Sequence, residues 1–314
     1  MIKGRKVSIL GAGKVGATIA YTLAVQQVVS EIALIDVNKQ KAEGEAMDII
    51  QGARFIAPLK IYSGDYAATA GSEIVIHTLG LPRQPGMSRL DLVNTNVNIF
   101  KETLKEVVPY TSESVHIVVS NPVDILTYAA TKISGLPAKR IIGSGTLLDT
   151  SRLRAILSEL TRKSYVNIHA YVLAEHGDTS FIPWSMSSLL GVKVTDYVEE
   201  TMGLKGQDWK AKVLEDVRMA GARIINNKGA THFAVSMSIC EICKNVLGDS
   251  GTILPLSNMM TGQYGVDDVC LSLPFSVGAQ GLGDCIVAKL PPDEEESFHK
   301  SAESLKSICK QINL

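Results

Sequence analysis

The first half of the chain alternates short apolar runs with longer amphipathic stretches. The apolar runs predict strands that are buried on both faces, and the stretches between them place apolar residues three or four positions apart, as helices do. Strands that alternate with crossover helices predict an α/β fold with a doubly wound parallel sheet. The predicted strands are residues 7–10, 31–36, 59–62, 73–78, 115–120 and 140–143, and the predicted helices are 16–27, 40–51, 92–108 and 124–134.

The pattern changes near residue 145, where helices and short antiparallel strands no longer alternate regularly. We therefore expect two domains, a doubly wound domain over residues 1–145 and an α+β domain over residues 146–314. The predicted helices of the second domain are 149–161, 207–227, 231–247 and 292–313. Its predicted strands are 168–173, 192–194, 253–257, 269–275 and 283–290.

Composition narrows the class of protein. A chain of 314 residues is long enough for about two domains. Its 31 basic and 32 acidic residues leave a net charge of −1, which argues against a nucleic-acid partner. No apolar run approaches the roughly 20 residues of a membrane helix, and the first one is too short for a signal-peptide core. We therefore expect no membrane association.

Cysteine usage indicates the compartment. The five cysteines are sparse and odd in number, so reduced thiols and a cytoplasmic location are expected. Cys240 and Cys243 have C-x-x-C spacing, but zinc needs about four ligands and the chain offers no second pair. We expect these two thiols to be packing residues and expect no metal site.

The segment 11–16 (GAGKVG) fits the pattern G-x-G-x-x-G between a predicted strand and a predicted helix. In a dinucleotide site Gly11 permits the tight turn, Gly13 lets the backbone approach a pyrophosphate, and Gly16 allows close helix–strand packing. The helix N-terminus, which includes Lys14 and Val15, then offers free N–H groups to the phosphates. The motif in this context predicts a cofactor site.

Asp36 ends the second predicted strand, 20 residues after Gly16. A carboxylate at this spacing accepts hydrogen bonds from an adenosine ribose and would repel a 2′-phosphate, so NAD is favoured over NADP. FAD and S-adenosylmethionine sites share the pattern and are alternatives, as is a purely structural glycine turn.

Three charged residues of the second domain are candidates for catalysis. His176 follows a predicted strand, Asp149 starts a predicted helix, and Arg152 lies in the first turn of that helix. Histidine is suited to exchanging a proton near neutral pH, a carboxylate fixes its tautomer, and arginine binds a substrate carboxylate through two parallel hydrogen bonds. A helix cap, a surface cation and a turn histidine are the structural alternatives.

Over essentially its whole length the chain resembles the L-lactate/malate dehydrogenase family. The resemblance is specific because several motifs occur in the family's order. They are the segments 11–16 (GAGKVG), Asp36, 84–89 (QPGMSR), 120–124 (SNPVD), 148–152 (LDTSR) and 175–178 (EHGD).

The resemblance implies a substrate domain and NAD-dependent hydride transfer between NADH and a small 2-oxo acid. By the same resemblance His176 is the proton donor and acceptor, with Asp149 as its partner, and Arg152 binds the substrate carboxylate. Arg89 would polarise the carbonyl from a mobile loop, and Asn121 would contact the nicotinamide side of the site. A dinucleotide-binding sensor without catalysis is the alternative class, and it would have no need of these side chains.

The same family pattern separates malate from lactate enzymes. At the position of Arg83, malate-type relatives carry Arg and lactate-type relatives carry Gln. Leaving a buried arginine unpaired beside pyruvate would cost roughly 3–5 kcal/mol, so Arg83 favours malate and oxaloacetate. Thr231 and the segments 124–128, 142–150 and 174–176 look lactate-like, which keeps L-lactate dehydrogenase as the alternative.

The resemblance also implies regulation and assembly. Arg154 and His169 match an Arg/His pair through which bacterial lactate dehydrogenases bind fructose 1,6-bisphosphate between subunits. An Arg/His pair suits phosphates, so activation by this sugar bisphosphate is a hypothesis. A homo-oligomer, either a tetramer or a dimer, is expected from the resemblance alone.

Overall fold

The computed structural model describes residues 4–81, 89–312 and 314, without the side chain of Arg89. The strands in this part of the chain are β1 (Lys6–Leu10), β2 (Glu31–Ile35), β3 (Lys60–Ser63), β4 (Ile74–His77), β5 (Val115–Val118), β6 (Ile141–Gly143), β7 (Ile168–His169), β8 (Ser188–Leu189), β9 (Val192–Lys193), β10 (Thr252–Thr261), β11 (Asp267–Gly278) and β12 (Gly281–Cys285). The helices are α1 (Lys14–Val25), α2 (Lys39–Gly52), α3 (Arg89–Thr111), α4 (Val123–Ser134), α5 (Leu147–Thr161), α6 (Val194–Thr201), α7 (Asp208–Lys228), α8 (Phe233–Gly248) and α9 (Pro292–Cys309).

The first six strands form a parallel sheet in the order β3-β2-β1-β4-β5-β6. This is the doubly wound order of dinucleotide-binding folds, so the predicted fold class is confirmed. All four residues of β4 and of β5 are buried, because helices cover both faces of the sheet. The crossover helix α1 buries one stripe, with Ile19 and Leu23 fully inside.

The antiparallel strands β10, β11 and β12 continue this same sheet, whereas β7, β8 and β9 pair with one another in a separate sheet. Ser257 of β10 pairs with Gly143 of β6, and β11 and β12 follow, so that nine strands of the described chain lie in one sheet. A Cβ on Gly143 would lie 2.8 Å from the Cβ of Ser257 and 2.4 Å from Oγ1 of Thr127, so glycine permits the close approach there.

The predicted strand 168–173 is shorter in the structure. Only Ile168 and His169 form β7, and the chain then turns towards the sheet. Leu173 makes a single bridge to Phe181, and Ala174, at φ +72°, bridges to Ser272 of β11. The departure from strand geometry brings the next residues to the end of the large sheet.

Three apolar cores organise the described residues. The largest spans the nine-stranded sheet and its helices, and a smaller one lies in the second half around Leu153, Leu157, Val213 and Val217. The third lies on the parallel strands and includes Leu10, Ile35 and Val75. The proposed domain division between residues 145 and 146 stays a prediction. Among the described helices, none combines the length and the apolar character that crossing a bilayer requires.

The cysteines are free thiols. Cys240 and Cys243 are buried in α8, and burial raises the pKa of both, which disfavours the reactive thiolate. Within the described ranges no three His, Cys, Asp or Glu side chains cluster in a way that would hold a metal ion.

Candidate active site

A cavity of about 780 Å³ opens beyond the carboxyl ends of four parallel strands. Its walls include residues 13–16 after β1, 78–81 after β4, 119–121 after β5 and 144–145 after β6. This edge of the sheet, where the strand order reverses between β1 and β4, is where doubly wound folds bind ligands. Helices α5 and α7 and the loop that carries His176 close the opposite side.

The three glycines of the loop after β1 have different reasons to lack a side chain. Gly11 has φ +106°, and a Cβ there would lie 2.6 Å from Oγ1 of Thr78. A Cβ on Gly16 would lie 1.8 Å from the carbonyl oxygen of Gly11. A Cβ added to Gly13 would have no other atom within 4 Å, and Gly13 lines the cavity. The fold therefore requires Gly11 and Gly16, whereas Gly13 leaves open space that faces the cavity.

Asp36 directly follows β2 and holds the same loop. Its Oδ2 accepts a hydrogen bond from the Ala12 N–H at 2.6 Å, and its Oδ1 accepts one from the Asn38 N–H at 2.8 Å. The carboxylate thus stands beside the glycine turn, although it does not line the cavity itself. Helix α1 begins at Lys14 with Gly13 as its N-cap, and no side chain caps it, which leaves its first N–H groups for an anion.

These features fit a bound NAD. The uncapped start of α1 and the open space at Gly13 suit a pyrophosphate, with Lys14 and Val15 lining the same wall. The carboxylate of Asp36, beside the same loop, is the kind of group that accepts a hydrogen bond from a ribose hydroxyl.

One buried carboxylate connects the predicted histidine and arginine. Asp149 lies in the first turn of α5 and is 6% exposed. Its Oδ2 is 2.5 Å from Nδ1 of His176, and its Oδ1 accepts a hydrogen bond from Nη1 of Arg152 at 2.9 Å. All three residues line the cavity. The fold therefore brings together these three candidates from two segments of the chain.

The electrostatics of this triplet favour the charged forms. Burial alone would lower the pKa of His176, but the charge of Asp149 and the hydrogen bond to it, together with the charge of Asp124, raise it above its usual value. Burial would likewise raise the pKa of Asp149, yet His176 and Arg152 hold it below its usual value. The site thus stabilises an imidazolium beside a carboxylate.

The loop that carries His176 is anchored from several elements. Its backbone N–H donates to Oδ2 of Asp124 on α4 at 2.7 Å. The N–H of the preceding Glu175 donates to Oγ of Ser301 on α9 at 3.1 Å. Neither Asp124 nor Ser301 has a role that the sequence alone reveals, since a contact to a distant backbone N–H leaves no local pattern.

The cavity has further polar lining that the sequence analysis did not single out. Arg218 of α7 donates to the carbonyl of Ser180 and to its hydroxyl, and lies near the charge of Asp178. Gly221 of the same helix faces Arg152, because a Cβ there would lie 3.5 Å from Nη2 of the guanidinium. A helical arginine and glycine carry no motif, so only the fold identifies them.

The remaining predicted residues divide into two groups. Asn121 and Thr231 line the cavity, and the carbonyl of Asn121 accepts a hydrogen bond from Asn96 at 3.1 Å. Arg89 begins α3, but its side chain lies outside the described part, as does the whole of Arg83.

The two predicted phosphate-binding residues lie away from the cavity. Arg154 donates to the carbonyl of Ala170 at 3.1 Å, and its guanidinium is 5.2 Å from the ring centroid of Tyr171. His169 is exposed on β7.

Comparison with known families gives two matches that together span most of the chain. A model of the lactate/malate dehydrogenase NAD-binding domain matches residues 5–143. A model of the lactate/malate dehydrogenase alpha/beta C-terminal domain matches residues 146–313.

Individual relatives agree with these matches. An L-lactate dehydrogenase of Acetivibrio thermocellus is 42% identical over 99% of this chain and 98% of its own length. L-lactate dehydrogenase 1 of Clostridium acetobutylicum is 44% identical over 99% of this chain and all of its own. Among solved structures, the minor L-lactate dehydrogenase of Enterococcus mundtii in a ligand-bound form is 38% identical, with a TM-score of 0.96 and 99% of both chains covered. A lactate dehydrogenase from a deep-sea metagenome library is 34% identical, with a TM-score of 0.95 over the same share of both chains.

Proposed function

Since the chain belongs to the lactate/malate dehydrogenase family and uses NAD, we propose that it is an L-lactate dehydrogenase that interconverts pyruvate and L-lactate. The observation that carries the proposal is the joining of His176, Asp149 and Arg152 in the cavity that begins at the glycine loop. A dinucleotide-binding sensor would need the glycine loop but not this triplet.

His176 is proposed as the acid and base of the reaction. The nicotinamide cofactor, when bound, would supply the hydride as NADH in reduction and accept it as NAD⁺ in oxidation. Because Asp149 holds Nδ1 of His176, the second ring nitrogen is the one that can exchange a proton with the substrate oxygen. In reduction the imidazolium gives its proton to the carbonyl oxygen, and in oxidation the neutral ring takes the proton of the hydroxyl group. The negative charge of Asp149 stabilises the imidazolium.

Arg152 is proposed to bind the carboxylate of the substrate. One of its nitrogens is held by Asp149, which fixes the plane of the guanidinium in the cavity wall. A substrate carboxylate bound to Arg152 would place the neighbouring carbon of the substrate near His176, because Arg152 and His176 are both held by Asp149. Asn121 and Thr231 complete the lining, and Arg89 at the start of α3 is proposed to polarise the carbonyl.

The choice between lactate and malate rests on the comparisons and on Arg83. The expectation of a malate preference is not supported, because the similar proteins described above are L-lactate dehydrogenases. Arg83 lies outside the described residues, so its direction carries no argument. Malate dehydrogenase remains the second candidate because of the full positive charge at this one position.

The experiment that tests the substrate is a comparison of kcat/KM for pyruvate and oxaloacetate with NADH. The proposal predicts a higher value for pyruvate. A clear preference for oxaloacetate that Arg83→Gln reverses would overturn it in favour of malate. Thr231→Ser serves as a matched control, because it changes the cavity wall without changing charge.

Regulation and assembly are part of the same proposal. Arg154 and His169 are proposed to bind fructose 1,6-bisphosphate between the subunits of a homo-oligomer. The positions support this, since Arg154 is fixed by Ala170 and His169 is exposed. Activity should rise with added fructose 1,6-bisphosphate, and Arg154→Gln should abolish the rise. A flat titration curve with the wild-type enzyme would contradict the proposal.

A further inference from the structure

Asp124 is a buried carboxylate that contacts the loop of His176 from the other half of the chain. It is the second residue of α4 and is 3% exposed. Its Oδ2 accepts the backbone N–H of His176 at 2.7 Å, across 52 residues of sequence. The first turn of a helix stabilises a negative charge, so α4 supports the ionised form at this place.

His176 is therefore held at two points by two carboxylates. Asp149 binds its ring nitrogen, and Asp124 binds its backbone N–H. The contact with Asp149 selects the tautomer of the ring, whereas the contact with Asp124 fixes the position of the backbone that carries the ring. Without Asp124 the backbone N–H of His176 would have no partner among the described residues, and the loop would be held through the neighbouring Ala174 and Glu175.

The second oxygen of Asp124 faces the hydroxyl group of Ser257. Oδ1 of Asp124 and Oγ of Ser257 are both buried, and neither has another hydrogen-bond partner among the described residues. Burial raises the pKa of Asp124 to about 6, against the opposing effect of the Ser257 hydroxyl and the His176 N–H. The desolvation of a buried carboxylate is costly to a fold, which indicates a role other than stability.

We propose that Asp124 is a positioning residue for His176 and that its carboxylate fixes the backbone of the catalytic loop from α4. As a consequence, the negative charge of Asp124 lies near the imidazole ring and favours the protonated form. The inference rests on the proposed role of His176 in catalysis. In this arrangement Asp124 on α4 controls the position and the charge of His176, while Asp149 on α5 controls its tautomer.

The titratable groups that face Asp124 determine which charge its carboxylate can stabilise. His176 and Glu175 face it from the loop, Cys270 from β11 and Cys309 from α9. Glu175 opposes the ionisation of Asp124, and burial raises the pKa of both thiols, so they are uncharged near neutral pH. Among these groups, His176 is the one whose charge Asp124 can stabilise.

The decisive measurement is the pKa of His176 by NMR titration of histidine-labelled full-length protein without cofactor. The chain has six histidines, and the resonance lost in His176→Gln identifies the relevant one. Asp124→Asn keeps an oxygen that can accept the N–H and removes only the charge. We expect the pKa of His176 to fall by about one unit in this variant. A pKa equal to that of wild type would overturn the electrostatic part of the proposal.

The anchoring part is tested by kcat and KM. Asp124→Ala removes the acceptor as well as the charge, so we expect kcat to fall about tenfold or more below that of Asp124→Asn, with KM for NADH unchanged. Equal kcat in the two variants would overturn the anchoring role. If Asp124→Ala does not fold, the nearly isosteric Asp124→Asn variant and the titration still decide the electrostatic part.

Glu294→Gln is the matched control. Glu294 is a buried carboxylate in the first turn of α9 that accepts the backbone N–H of Ser185 at 2.9 Å and its hydroxyl, away from the cavity. The Glu294→Gln variant should leave the pKa of His176 unchanged. A fall in this pKa equal to that in Asp124→Asn would show that a general change of the structure, and not the charge of Asp124, causes it. The titration does not depend on the substrate, so an enzyme inactive towards pyruvate would contradict the proposed function without affecting this test.

Discussion

Gly13 offers a test of whether the loop after β1 is shaped for a ligand or for the fold. Alanine at this position would place its Cβ in open space, since nothing lies within 4 Å, and φ is −73°, which alanine adopts without strain. We therefore expect Gly13→Ala to change the free energy of unfolding by less than about 1 kcal/mol.

The effect on NADH should be much larger. The methyl group would stand where the backbone approaches the pyrophosphate and would prevent about one hydrogen bond to a charged group, which is worth about 1.5–3 kcal/mol. That corresponds to a roughly ten- to hundredfold higher Kd for NADH. The assay is NADH fluorescence titration combined with urea unfolding of the same samples.

Two other glycines provide the controls. Gly44→Ala, in open space on α2 and outside the cavity lining, should leave the Kd unchanged. Gly16→Ala should destabilise the fold, because its Cβ would lie 1.8 Å from the carbonyl oxygen of Gly11. Wild-type NADH affinity in Gly13→Ala, or destabilisation as large as in Gly16→Ala, would refute the reasoning.

Three further predictions concern buried charged groups. Asp149→Asn should lower kcat by about two to three orders of magnitude, because His176 loses the buried negative charge that stabilises its imidazolium form. The Kd for NADH should stay unchanged, and steady-state kinetics together with NADH titration measure both. Burial lowers the pKa of His77, and lowers that of His116 to about 4, so the unfolded chain binds these protons first and stability falls as the pH drops below about 6.5. For His116 the loss is about 2 kcal/mol by pH 5, and urea unfolding of His116→Gln should show a smaller pH dependence than wild type. Burial raises the pKa of Asp124 to about 6, so its ionisation lowers the free energy of unfolding by up to about 3 kcal/mol as the pH rises from 4 to 6. Urea unfolding should therefore show Asp124→Asn gaining stability relative to wild type over this range, and a constant difference between the two proteins would contradict this expectation.

Local patterns were sufficient for the parallel half of the fold. The apolar runs and the amphipathic stretches between them correspond to strands and crossover helices, because a strand covered on both faces must be apolar throughout. The continuation of the sheet was not predictable in this way. Ser257 pairs with Gly143 across more than a hundred residues, and a strand pattern does not say which edge the strand will join.

The site shows the same limit. The spacing of the glycines and the residue types of His176, Asp149 and Arg152 were visible in the sequence, and the fold places these side chains around one cavity. The contact of Asp124 was not visible, because its partner is a backbone N–H, which every residue except proline possesses.

The central claim, that this chain is an NAD-dependent dehydrogenase acting through His176, is tested most directly by one substitution. His176→Gln should be measured for NADH binding and for pyruvate reduction, with the half-buried His299→Gln as control. The account predicts an unchanged Kd for NADH and a kcat lower by at least about two orders of magnitude, since general acid catalysis contributes on this scale. Turnover within tenfold of wild type, or an equal loss in His299→Gln, would contradict it.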